Sequence, residues 1–321
     1  MMEIGGYFEL EHLNSRPYYS GLCELNLGRT ALVYLLESLQ CRTLHVPYLI
    51  CDSVTSACER AGFSLHYYHL DKNLAPVLDC ELSDDEYLYL INYYGQLSDE
   101  QILAFSQRYE RIIVDNTQSF FQRPLKNIPT LYSCRKYFGV SDGAYLSCSQ
   151  TLPPVPVTDQ SQHRMAHLLG RLEDTASDHY TEMLAAADSF HSEPVKNMSL
   201  ITRNILNGID YDAVRRTRSR NYRYLSERLE QDNIMNHIVP DGPFAYPFYT
   251  RNGPAIRREL ASLHIYIPVY WNNVIASMPE ESVEYDLAAN ILPLPCDQRY
   301  GNWEMEHLAD AVLTVTQQFG E

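Results

Sequence analysis

YLYLINYYGQLSDEQILAFSQRYERIIVD, residues 87–115, decides the fold. Tyr87–Ile91 is a short apolar run rich in β-favouring side chains, Glu100–Tyr109 carries helical spacing, and Ile112–Val114 is a second apolar run. Strand, helix, strand within one stretch is the unit from which parallel sheets are built. Upstream the unit repeats: Leu44–Val46 reads as a strand, Ser53–Arg60 as a helix and Phe63–Tyr68 as a strand. Before them Leu32, Leu35, Leu36 and Leu39 fall at helical spacing across Arg29–Gln40, with Gly28 just ahead of that helix. The expectation is an α/β protein whose large domain holds a mainly parallel mixed sheet sandwiched by helices.

Beyond Ser147 the pattern changes. A proline-rich turn (Pro153, Pro154, Pro156) leads into a polar helical region from Asp159 to about Phe190. A long basic helix follows at Tyr211–Leu229, then an alternating strand at Phe244–Tyr249, a helix at Pro254–Leu263 and a final helix from Asn302 to about Phe319. These elements suit a small C-terminal α+β domain, so the chain of 321 residues divides into 1–198 and 199–321.

The net charge of −16 argues against an electrostatic hold on nucleic acid or an anionic membrane and points to a small-molecule substrate. Met1–Leu10 has no basic stretch followed by an apolar run, and no segment reaches the ~20 apolar residues of a membrane span. The expected setting is cytoplasmic. Eight scattered cysteines without a Cys-x-x-Cys pair read as thiols. His66 and His69 lack Cys and carboxylate partners at ligand spacing, so no metal is expected.

In parallel sheets ligands gather at the carboxyl ends of the strands, here Pro47-Tyr48, Asn92 and Asp115. Three segments converge on that edge. Gly28-Arg29-Thr30 opens a helix, whose free N–H groups and positive dipole end can hold a phosphate or simply be capped. Asp115 closes an apolar strand, and a carboxylate buried there requires a cation, either a structural Arg or Lys or the protonated ring nitrogen of a pyridine cofactor. Lys136 stands beside Arg135 among Tyr132, Tyr137 and Phe138, surroundings that disfavour its ammonium form. Neither a Gly-x-Gly-x-x-Gly nor a Gly-x-x-x-x-Gly-Lys-Ser/Thr phosphate loop is present.

The order of these motifs resembles the DegT/DnrJ/StrS sugar aminotransferases, a family of pyridoxal-phosphate (PLP) enzymes of fold type I. Its Ser-Gly-Thr-x-Ala-Leu helix start, Glu-Asp-x-x-Gln strand end, Ser-x-x-x-Lys segment and Gly-Glu-Gly-Gly turn are matched in order. The corresponding stretches are Leu27-Gly28-Arg29-Thr30-Ala31-Leu32, Val114-Asp115-Asn116-Thr117-Gln118, Ser133-Cys134-Arg135-Lys136 and Ser141-Asp142-Gly143-Ala144. Val46-Pro47-Tyr48 and Tyr94-Gly95-Gln96 are similar to two further family turns. The chain departs from the family at Arg29, where a small residue is usual, and at Asp142-Gly143-Ala144.

The resemblance implies that Lys136 holds PLP covalently and shuttles the proton, that Asp115 pairs with the ring nitrogen, and that Gln118 lies beside the ring. It implies that Gly28, Arg29, Thr30 and Ser133 hold the phosphate, with the Thr30 hydroxyl among the donors. Asn197, in Asn197-Met198-Ser199, would correspond to a residue that reaches the phosphate of a neighbouring subunit, so a homodimer is implied. The expected activity is transfer of an amino group from glutamate to a nucleotide-linked keto-sugar, in polysaccharide or amino-sugar biosynthesis. The alternative is a catalytically degenerate PLP-binding or sugar-binding regulatory protein.

Overall fold

The computed structural model describes residues 4–233, 235 and 238–320; Met1, Met2 and Glu3 of the N-terminal stretch lie outside them. Ten strands are defined: β1 (Cys23–Leu25), β2 (Thr43–Pro47), β3 (Ser64–Leu70), β4 (Pro76–Val77), β5 (Glu86–Ile91), β6 (Ile112–Asp115), β7 (Thr130–Ser133), β8 (Ala144–Ser147), β9 (Tyr246–Tyr249) and β10 (Ile291–Leu294). The first eight form one sheet in the order β1-β8-β7-β6-β5-β2-β3-β4. β2, β3, β5, β6 and β7 are joined by parallel pairings. β8 is antiparallel to β7 and β1 is antiparallel to β8, so β1 points with the parallel set. The expected mainly parallel mixed sheet is the one found.

The helices of the large sheet follow from their apolar spacing. α1 (Gly28–Ser38) buries Leu32, Leu35 and Leu36 completely. α2 (Asp52–Arg60) and α3 (Asp99–Tyr109) complete the crossovers that parallel pairing requires. Ser98 accepts from the Gln101 N–H while Gln101 answers at the Ser98 N–H, a reciprocal cap that fixes where α3 begins. All four residues of β6 are buried, as a strand covered on both faces must be.

The polar region after Ser147 contains α4 (Ala166–Glu173) and α5 (Tyr180–Asp188), followed by α6 (Leu200–Leu206). α7 (Tyr211–Leu229), α8 (Gly253–Ser262) and α11 (Asn302–Gln318) surround the two-stranded sheet of β9 and β10. Tyr222, Tyr246, Phe248, Leu292 and Val312 form the core of this lobe. Pro247 and Pro293 face each other across β9 and β10, which a two-stranded sheet tolerates because both strands are edges. α9 (Asn272–Ser277) and α10 (Val283–Asn290) pack toward the large sheet, where Trp271, Val274 and Leu287 join its core. Among the described residues no helix is long and apolar enough to cross a membrane, and all eight cysteines are free thiols.

Candidate functional site

Because β1, β2, β5, β6 and β7 point the same way, the segments that follow them emerge on one edge. Gly28 follows β1, Tyr48–Cys51 follow β2, Asn92–Gly95 follow β5, Asp115–Gln118 close β6, and Ser133–Lys136 close β7. The sheet therefore gathers residues spread over more than a hundred positions of sequence, as the strand pattern leads one to expect.

Lys136 lies at the centre. Its Nζ donates to the Thr117 Oγ1 at 2.9 Å, and the Phe244 ring of the C-terminal lobe has its centroid 6.0 Å away. Lys136 is exposed to solvent in this structure; the protein around it still lowers its pKa through desolvation, against the opposing pull of the Asp115 carboxylate. Lys72 and Lys126 are also exposed, and Lys196 is paired with Glu193 and Asp159.

Asp115 is 6 % exposed. Its Oδ2 accepts from the Tyr89 hydroxyl at 2.7 Å and its Oδ1 from the Thr117 N–H at 2.8 Å. These two bonds fix the carboxylate but bring no charge, and Asp115 makes no ion pair among the described residues. Burial, followed by the field of Asp115, pushes the Tyr89 hydroxyl well above its ordinary pKa, so it remains a donor. Among the described residues no Arg or Lys forms an ion pair with Asp115, although its field reaches the Lys136 amine.

The start of α1 has the character of an anion site. Leu27 occupies the N-cap position without a capping side chain, and the first turn has no acidic residue. A Cβ placed on Gly28 would come to 3.6 Å from the Thr117 Cγ2, so Gly28, Thr117 and Lys136 are successive neighbours. Arg29 and Arg135 converge beside this turn on Phe190: Arg29 donates to its carbonyl at 3.4 Å, and the Arg135 guanidinium lies 4.6 Å from its ring centroid. Neither makes an ion pair among the described residues, and the Arg29 Nε is buried without a partner. Burial lowers the pKa of Arg29, and burial together with Arg29 and Arg164 pushes Arg135 down to about 10. Two neighbouring guanidiniums with no ion-pair partner among the described residues make this a place where a bound anion would relieve repulsion.

Other residues singled out from sequence hold the frame. The Thr30 hydroxyl turns back to donate to the Asn26 Oδ1 at 2.8 Å, so its proton is engaged away from the turn. The Gln118 Oε1 accepts the Tyr94 N–H at 2.8 Å and pins a residue whose φ of 54° lies in the left-handed region. Ser133 closes β7 three residues before Lys136. Asn197 is not brought to Lys136 in this chain: its amide donates to the Val155 carbonyl at 2.8 Å, and its backbone bridges β1 and the 157–159 segment. Asn92 spends its side chain on Asn116 and Leu97.

Asp142, fully buried, accepts from the Ser199 N–H at 2.8 Å, from the Ser199 hydroxyl at 2.7 Å and from the Thr202 hydroxyl, tying β8 to the start of α6. Gly143 beside it has φ +111°, and a Cβ there would meet the Thr202 Cγ2 at 3.0 Å, which accounts for glycine at this position.

Two residues were not distinguished by sequence reasoning. Thr117 stood in an unassigned place between Asp115 and Gln118. Arg218 on α7, 2 % exposed, donates to the carbonyls of Pro243 at 2.9 Å, Phe244 at 3.3 Å and Tyr137 at 3.1 Å, and so binds the C-terminal lobe to the residue following Lys136.

No protein-family model matches the chain, and no curated protein matches it in sequence. Solved structures do match in fold. A DegT DnrJ EryC1 StrS aminotransferase from Brucella abortus superposes with a TM-score of 0.59 at 13 % identity, over 92 % of this chain and 86 % of its own. The sugar aminotransferase CalS13 from Micromonospora echinospora gives 0.62 at 15 % identity, over 91 % and 87 %. Spr1654 from Streptococcus pneumoniae, in its PLP form, gives 0.61 at 13 % identity, over 92 % and 87 %. At this identity the likeness establishes a shared fold.

Proposed function

We propose that the chain is a PLP-dependent aminotransferase that passes an amino group from glutamate to a nucleotide-linked keto-sugar in polysaccharide or amino-sugar biosynthesis. One observation carries the reading: a buried carboxylate, Asp115, fixed by Tyr89 and Thr117, in no ion pair among the described residues, and joined through Thr117 to Lys136. A pyridinium nitrogen would supply the ion-pair partner. The uncapped α1 turn and the unpaired Arg29 and Arg135 suit the phosphate at the other end of the same molecule.

In this reading Asp115 would hold the ring nitrogen protonated, and Lys136 would anchor the cofactor and move the substrate proton at its Nζ. Gln118 would serve the ring, and Gly28, Arg29, Thr30 and Ser133 would hold the phosphate, Thr30 through its backbone. When bound, PLP supplies the electron sink that lets an amino acid lose its α-proton. The depressed basicity of Lys136 keeps a larger share of its amine neutral at physiological pH, which both anchoring and proton abstraction require. Thr117 orients that amine toward the edge of the sheet. Phe244 shields it from one side, and Arg218 holds Phe244 and Tyr137 in register across the lobes.

The division into lobes at residues 198 and 199, a homodimer in which Asn197 serves the neighbouring site, and a cytoplasmic setting belong to the same proposal. The fold match to a sugar aminotransferase and to a protein solved in its PLP form supports it. The test is to add glutamate to PLP-loaded protein and follow the cofactor spectrum together with release of 2-oxoglutarate. Conversion of the cofactor with stoichiometric 2-oxoglutarate is expected. A spectrum unchanged by glutamate and by every other amino donor would leave a binding or regulatory protein as the better reading.

A further inference from the structure

Away from Lys136, toward the amino ends of the parallel strands, three potential metal ligands meet on one face of the sheet. His45 and His66 are direct register partners across β2 and β3, and Glu86 opens β5 opposite Thr43, two residues from His45. Residues two apart on a strand share a face, so all three side chains project to the same side. The His45 Nε2 lies 3.2 Å from the Glu86 Oε2, the two imidazole rings stand edge to face with centroids 5.1 Å apart, and one ligand atom from each residue lies within 4.8 Å of the others.

We propose that His45, His66 and Glu86 form a binding site for a borderline divalent cation of the Zn²⁺ type, with water completing the coordination. Two imidazoles and one carboxylate select Zn²⁺, Co²⁺ or Ni²⁺ over Mg²⁺ or Ca²⁺, which prefer oxygen ligands throughout. Ligands bound at about 2.0–2.1 Å in a tetrahedron lie roughly 3.4 Å from one another. The His45–Glu86 separation of 3.2 Å is close to that value, and the exposed His66, whose ligand atom lies within 4.8 Å of the others, would be the one to turn inward.

The Ser83 N–H donates at 3.3 Å to the same Glu86 Oε2 that faces His45, which fixes the carboxylate and leaves its Oε1 as the second oxygen for an ion. His45 is buried while His66 faces solvent, so the site has a rigid base and an open approach. A bound ion would join three neighbouring strands at the end of the sheet opposite the candidate active site, and its role would be to clamp the large lobe.

This differs from the expectation that no metal binds, which considered His66 with His69. His69 is paired elsewhere, its Nδ1 3.0 Å from the Glu284 Oε1. The carboxylate missing from the local sequence is supplied to His66 from the other side of β2, twenty residues downstream, where ligand spacing along the chain cannot reveal it.

The test uses the purified full-length chain, without added PLP, stripped with a chelator and titrated with Co²⁺ and then Zn²⁺. One equivalent of Co²⁺ should give visible d–d absorption with no thiolate charge-transfer band, and Zn²⁺ should displace it and raise the melting temperature. His66→Ala and Glu86→Gln should each weaken binding at least about tenfold and abolish the thermal shift, with circular dichroism unchanged. X-ray absorption on Zn²⁺-loaded wild type should resolve two imidazoles and oxygen ligands, a readout that does not depend on any variant folding. Absence of micromolar binding, binding that survives both substitutions, or sulfur in the coordination shell would overturn the proposal.

Discussion

The Lys136 Nζ donates to the Thr117 Oγ1 at 2.9 Å, and the Thr117 N–H donates to the Asp115 Oδ1 at 2.8 Å, so a single threonine connects the candidate nucleophile to the candidate electrostatic anchor. Thr117→Val keeps the shape and the N–H and removes only the acceptor for the amine. The turnover rate should fall by about tenfold, the size of one lost hydrogen bond, with little change in KM. Thr117→Ser should restore it. Steady-state kinetics of the three proteins checks this; a Thr117→Val variant with full turnover would remove the threonine from the site.

Asp115→Asn retains a carbonyl oxygen to accept from Thr117 or Tyr89 and removes the charge. The protein should fold, while kcat/KM falls at least about a hundredfold, because an electrostatic partner of the reacting group contributes on that scale. PLP affinity, measured by absorbance titration, should fall with it. A variant with weakened folding but normal PLP affinity would make Asp115 structural.

The basicity of Lys136 sets a pH dependence. Its pKa in the fold is below the ordinary lysine value of about 10.4. Below the folded pKa both folded and unfolded chains carry the charge, and the native state bears the cost of its partial desolvation. Above about pH 10.4 neither carries it and the cost is gone. Lys136→Met should therefore melt higher than wild type at pH 7, with the gain shrinking as the pH rises toward 10. The exposure of Lys136 to solvent keeps the gain to a few degrees at most. A gain that grows with pH would contradict the assignment.

Asp142→Ala removes the acceptor for two donors of Ser199 and one of Thr202, all buried. Stranded buried donors and a lost cap should destabilise the protein by about 3 kcal/mol. Urea unfolding would report this as a lower midpoint. Asp142→Asn should recover part of the loss by accepting the Ser199 N–H.

Much of this architecture was legible in the sequence because it rests on period. α1, α2, α3, α7, α8 and α11 lie within a residue or two of the limits read from apolar spacing, and β2, β3, β5 and β6 were found as apolar runs. β1, β7 and β8 were not read as strands. They are three or four residues long and, unlike Ile112–Val114 in β6, carry polar residues (Glu24, Thr130, Ser133, Ser147), and their pairing depends on contacts distant in the chain. β10, Ile-Leu-Pro-Leu, has no alternation to read.

At the site, Asp115 and Lys136 were only weakly marked on local grounds, as an acid ending an apolar strand and a lysine among aromatics; the order of motifs, similar to that of the sugar aminotransferases, is what assigned them roles. Thr117 was not marked, since its role arises when the strands bring a residue nineteen positions away against it. The engagement of the Thr30 hydroxyl with Asn26 and of Asn197 with Val155 likewise belongs to packing.

The most direct test of the account exploits the four lysines of the chain, Lys72, Lys126, Lys136 and Lys196. The protein is incubated with PLP, reduced with borohydride, digested and mapped by mass spectrometry. The account predicts one modified site, Lys136, and loss of that modification, with no other lysine replacing it, in Lys136→Ala. A cofactor mass on another lysine, or none after full reconstitution, would contradict it.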